Sequence, residues 1–152
     1  MNTLRQSLAA VVLLLAFASC QKDEPKDTTP PTATILGFTL NSTPTAPSTG
    51  PIPIAKTEVT LRVNLRFADN AALKSYTVTM SPTFSPTNTA DNNWNFVISS
   101  DTLTGKSRDI PSLSLRATGT DMTLNQFRLR VETKDAAGNA SAPADQIFQV
   151  TN

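Results

Sequence analysis

Val59-Thr60-Leu61-Arg62-Val63-Asn64-Leu65-Arg66-Phe67 alternates apolar and polar residues without a break. Successive side chains of a strand point to opposite faces, so a period of two sends Val59, Leu61, Val63, Leu65 and Phe67 inward and leaves Thr60, Arg62, Asn64 and Arg66 in water. A helix would scatter the same apolar residues around its circumference. The stretch therefore predicts a half-buried strand at 57–67. Phe127, Leu129 and Val131 alternate in the same way with Arg128, Arg130 and Glu132, which predicts a second strand at 126–133.

Working outward, weaker alternations predict strands at 73–80 (Tyr76, Val78, Met80), 94–99 (Trp94, Phe96, Ile98), 110–117 (Leu113, Leu115, Ala117) and 145–150 (Phe148, Val150), with a first strand at 34–40. No sustained helical period follows residue 20. A sheet with one apolar face must bury it against something, and without helices that partner is a second sheet. The expectation is all-β: a seven-stranded antiparallel β-sandwich. Residues 33–152 are about the length of one domain and enough for a single core. Between the last two strands, Lys134-Asp135-Ala136-Ala137-Gly138-Asn139 is a turn, with Asp135 able to form an Asx-turn and Gly138 able to take positive φ. Asp69-Asn70 reads likewise.

The chain begins differently. Arg5 precedes an apolar run from Leu8 to Ala18 that is far shorter than the roughly 20 residues of a membrane-spanning helix. Small residues lead to Cys20, the only cysteine. This predicts a cleavable export signal at 1–19 and a tether at 20–32, where charge and proline preclude a core and give a semi-stiff spacer.

Composition removes several function classes. The chain has no histidine, so Ser-His-Asp or Cys-His nucleophile arrangements and His-ligated zinc are excluded. With a single thiol, neither an internal disulfide nor a multi-cysteine metal site can form. Beyond Cys20 the basic and acidic side chains balance, so no nucleic-acid partner is implied. The acids that can be placed lie in turns or on water-facing rows, where no pair of carboxylates is held across a cleft as glycoside hydrolysis requires. The expectation is a non-catalytic protein without a cofactor.

Phe17-Ala18-Ser19-Cys20 resembles the lipobox of bacterial lipoproteins, with Phe17 where that motif usually has Leu. The resemblance implies that Cys20 is acylated, palmitate-type, and becomes the first mature residue, joining the protein to a membrane through covalent lipid. Gln21-Lys22-Asp23-Glu24 resembles the signal that carries lipoproteins of Bacteroidetes-type bacteria to the outer face of the outer membrane. Val131-x-x-Lys134-Asp135-Ala136-Ala137-Gly138-Asn139, with Phe67-Ala68-Asp69-Asn70-Ala71-Ala72-Leu73 before it, resembles bacterial immunoglobulin-like domains over about residues 30–150. That implies an immunoglobulin-like (fibronectin III/cadherin-like) sandwich and a single-domain surface lipoprotein. The antibody-type disulfide has no counterpart here, and the lone tryptophan, Trp94, falls after the 73–80 strand.

In the implied topology the turns after 57–67, 94–99 and 126–133 meet at one pole and gather Asp69, Asn70, Asp101, Asp135 and Asn139. Such oxygens suit Ca²⁺. The simpler reading makes each a turn former satisfying its own backbone. Arg62 with Arg66, and Arg128 with Arg130, fall on different sheets as solvated rows that discourage edge pairing. Trp94 is either a core plug or a sugar-stacking platform.

Two long connections, 41–55 and 81–93, would belong to the pole opposite the tether. Ile52, Ile54, Phe84 and Met122 are then candidate apolar contacts, Ile52 and Ile54 alternatively forming an extra edge strand. Asp101-Thr102-Leu103 and Asp27-Thr28-Thr29 resemble the acceptor motif for O-linked glycans in this bacterial group. The function expected is display of a monomeric module that engages a protein or glycan. The alternatives are an accessory glycan-binding lipoprotein of a nutrient-uptake complex and an envelope or secretion scaffold.

Overall fold

The computed structural model describes residues 26–55, 59–83, 95–118 and 126–151. These residues are all-β: β1 (Thr32–Leu40), β2 (Thr43–Thr45), β3 (Ile52–Ala55), β4 (Val59–Ala68), β5 (Leu73–Pro82), β6 (Phe96–Ser100), β7 (Ser107–Thr118), β8 (Gln126–Asp135) and β9 (Ala144–Thr151). They form two sheets, ordered β2-β1-β4-β7 and β3-β9-β8-β5-β6. Neighbouring strands are antiparallel except β3 and β9, which run parallel, Ile52 opposite Phe148 and Ile54 opposite Val150. The seven expected strands are each present to within a few residues. β2 and β3 are additional, and both come from the segment expected to be a loop.

The alternating rows become the core. Leu61, Val63, Leu65 and Phe67 of β4 face Phe127, Leu129 and Val131 of β8 across the sandwich, all fully buried. Two aromatic pairs join the sheets: Phe38 meets Phe148 edge-on at 5.1 Å, and Phe67 stacks on Tyr76 at 5.3 Å. In β1 the apolar spacing breaks between Ile35 and Phe38 because a register shift against β4 lies there, turning Leu36 outward, where it is 44% exposed. Gly37 sits at that shift with Thr45 O of β2 so close that an added Cβ would lie 3.3 Å from it.

Prolines mark the edges. Pro44 in β2, Pro53 in β3 and Pro111 in β7 all lie on outermost strands, where a missing N–H costs no ladder bond and discourages pairing with another chain. The 41–55 segment is ordered by Gln146 of β9, whose side chain is 3% exposed. Its Oε1 accepts from Ser48 N at 2.9 Å and its Nε2 donates to Gly50 O at 3.0 Å, so the chain is steered from β2 in one sheet to β3 in the other.

Strand directions define two poles. β1, β5, β7 and β9 start at the pole reached from the N-terminal side, and β4, β6 and β8 end there. Connections 69–72, 101–106 and 136–143 lie at this proximal pole together with residues 26–31. The opposite pole carries the β1–β2 turn, where Asn41 and Ser42 take positive φ, and the first residues of β4, β6 and β8.

Candidate metal centre

At the proximal pole the turns after β4 and β8 are each built by an aspartate. Asp69 ends β4's run into β5: its Oδ2 accepts from Ala71 N at 3.0 Å, and its own N–H donates to Lys106 O at 2.8 Å. Asp135, the last residue of β8, accepts at Oδ1 from Asn139 N (2.7 Å) and at Oδ2 from Asn139 Nδ2 (2.6 Å). Gly138 supplies the positive φ, +95°, that lets the chain turn back to Asn139. Ala136 N donates to Ala72 O at 2.8 Å and ties the two turns together.

A third segment closes over them. Asp27, five residues before β1, folds its own turn by accepting from Thr29 N at 3.0 Å. The same Oδ1 accepts from Asn70 Nδ2 at 3.2 Å, and the Asp27 carbonyl accepts from Asn139 Nδ2 at 3.1 Å. Residues 26–31 are thus a strap docked on both turns, and Pro31 behind it is buried. The outcome is that carboxylate oxygens of Asp27, Asp69 and Asp135 lie within 4.8 Å of one another.

The charges in this cluster are poorly compensated. Asp135 is fully buried. Burial alone would push its carboxyl up, but the Asn139 amide and the backbone N–H groups of Asn139, Gly138 and Ala137 together hold it below its ordinary value of 3.8. It is a carboxylate at neutral pH. Asp27 Oδ2 and Asp69 Oδ1 are shut off from solvent and accept no hydrogen bond. Among the described residues no lysine or arginine forms an ion pair with any of the three; the arginine ion pairs, Arg66–Asp109 at 2.8 Å and Arg130–Asp145 at 3.0 Å, lie on the outer sheet faces. A set of converging carboxylate oxygens without nitrogen or sulfur is the donor chemistry of a hard cation.

Of the five oxygen-bearing residues gathered by sequence reading, Asp69, Asn70, Asp135 and Asn139 come together. Asp101 does not. The 94–99 strand, as β6, pairs with β5, Val78 opposite Ile98, and Asp101 beyond it is exposed. It lines an open groove of about 410 Å³ on the β5–β8 side with Ser75, Thr77, Ser99, Glu132 and Lys134. Asp27, which the sequence reading put in the tether, takes the fifth place. Its signal was Asp27-Thr28-Thr29, an Asx-turn sequence just before a strand.

Of the two readings of Ile52 and Ile54, the structure shows the extra edge strand: both point inward from β3 and are core residues, 4% and 3% exposed, rather than outward contacts. Phe84, Met122 and Trp94, as well as Cys20, Gln21, Lys22, Asp23 and Glu24, lie outside the described residues. The arginine rows fall on different sheets as expected, but not simply as solvated charges: Arg66 and Arg130 each make a bidentate pair with a neighbouring-strand aspartate, and Arg62 donates to Ser112 at 3.2 Å. Thr102 is exposed next to buried Leu103.

No protein-family model matches the chain, and no curated protein matches it.

Proposed function

We propose that this chain is a non-catalytic, lipid-anchored surface module. In this reading Cys20 carries the acyl chains, Gln21 to Glu24 direct export to the outer face of an outer membrane, and an immunoglobulin-like sandwich presents its distal connections to a protein or glycan. The observation that supports it is the polarity of the fold: the first described residues, 26–31, lie at the proximal pole, and β4, β6 and β8 start at the opposite one. The immunoglobulin-like assignment is supported by the strand order, in which the N-terminal region contributes β1 to one sheet and β3, parallel to the last strand, to the other. Several acyl chains hold a protein at a membrane where one would bind only marginally.

The test is Cys20→Ala followed by membrane fractionation and protease shaving of intact cells. The variant is expected in the medium or unprocessed, while the parent sediments with the outer membrane and is shaved from outside. Cys20→Ala protein that still fractionates with the outer membrane refutes the anchor, and cleavage of the parent only after lysis refutes surface display.

A further inference from the structure

We propose that Asp27, Asp69 and Asp135 bind one Ca²⁺, and that the ion clamps the 26–31 strap onto the sandwich, fixing the direction in which the chain leaves the body. The inference is independent of lipidation, since every residue in it belongs to the described pole.

Three carboxylates within 4.8 Å of one another repel. One of them, Asp135, is fully buried. A turn-forming role explains Asp69 Oδ2, Asp27 Oδ1 and both oxygens of Asp135, which all accept hydrogen bonds. It leaves Asp27 Oδ2 and Asp69 Oδ1 unexplained, because a buried carboxylate oxygen without a donor from the described residues forfeits its solvation for nothing. A divalent cation accounts for both oxygens and removes the repulsion.

Calcium is the ion that fits. It accepts six to eight oxygens at flexible geometry, mixing carboxylates with water, whereas Mg²⁺ demands a tight octahedron and surrenders its waters reluctantly. Here the ligands come from three separate pieces of chain, and one of them, the strap, has no strand to hold it. Sites of this kind in extracellular modules bind calcium at about 10⁻⁴ to 10⁻³ M. The ion would join Asp27 to Asp69 and Asp135, partners 42 and 108 positions further along the chain, so its loss frees the strap without dismantling the core.

Lys26, exposed beside Asp27, supplies the readout. The purified full chain is titrated with Ca²⁺ or Mg²⁺ by calorimetry after EDTA treatment, and trypsin cleavage after Lys26 is timed in parallel. Asp27→Asn and Asp69→Asn serve as variants, since Asp135→Asn removes a buried turn former and can fail to fold. Binding of one Ca²⁺ is expected, with cleavage slowed about tenfold when calcium stands at ten times Kd, and a melting midpoint raised by several degrees. Both effects should disappear in Asp27→Asn and Asp69→Asn, whose EDTA-treated melts remain cooperative. Absence of calcium heat, or full binding in Asp27→Asn, overturns the site. Binding without protection of the Lys26 bond overturns the clamp, and equal protection by Mg²⁺ overturns the choice of ion.

Discussion

Replacing Gln146 with Ala should loosen one strand and spare the rest. Segment 46–55 crosses between the sheets, and seven of its residues are not proline, so ordering it costs about 7–14 kcal/mol of backbone entropy. Burying Ile52 and Ile54 returns about 3–6 kcal/mol, and the short β3–β9 ladder adds about 1 kcal/mol per bond, about 3–4 in all. These returns offset only the lower part of that cost. The two bonds from Gln146 to Ser48 N and Gly50 O, worth about 1 kcal/mol each, therefore decide whether β3 is docked. Their loss should raise local opening roughly 30-fold, the equivalent of about 2 kcal/mol. Native-state hydrogen exchange is the assay: protection at Ile52–Ala55 should drop by that factor, while Leu65 in β4 and Val131 in β8 keep most of theirs. Equal loss of protection at all three places would refute independent anchoring of β3, and no loss at Ile52 and Ile54 would refute the role of Gln146.

Other expectations follow from the same geometry. Leu65→Ala empties a fully buried site between the sheets and should cost about 3 kcal/mol in urea denaturation, with the slope unchanged. Asp135 titrates below its ordinary value in the folded state, so its contribution to stability is present above that value and is lost as pH falls through the folded one. Urea midpoints should accordingly decline as pH drops below about 4. Asn139→Ala removes the amide that donates to both Asp135 and Asp27, and should weaken this acid dependence and lower the midpoint at neutral pH. An unchanged pH profile in Asn139→Ala would detach that amide from the ionisation of Asp135.

The parts of this fold legible in the sequence are those governed by short-range periodicity. Leu61 to Phe67 and Phe127 to Val131 announce their faces because neighbouring residues alternate, and Asp135 and Gly138 announce a turn because the relevant bonds span only four residues. Where a local rule failed, a distant partner was responsible. Ile52 and Ile54 alternate with Pro51 and Pro53, a pattern that reads equally as loop or as edge strand until β9 stands alongside and Gln146, nearly a hundred positions away, anchors Ser48 and Gly50. Leu36, within the predicted first strand, faces outward because of the register shift in β1.

The acidic pole shows the same division. Asp69, Asn70, Asp135 and Asn139 were foreseeable because each sits in a turn between two recognisable strands, and strand order alone brings those turns together. Asp27 was not, since a charged residue among prolines and threonines before the first strand has the composition of a tether. Its Asx-turn sequence marks a local turn, but only its contacts place it at the site: Asn70 is 43 positions away and Asn139 is 112. Those contacts also explain why Asp101, which has the right chemistry and the right pole, is left out. β6 pairs with β5 at the far edge of its sheet, while the strap descends from β1 on the other sheet toward the β4–β5 and β8–β9 turns, so the third carboxylate is supplied by the chain that enters the domain. A site assembled in this way reports on the tether as much as on the sandwich, because whatever occupies it bears on Asp27 before it bears on the core.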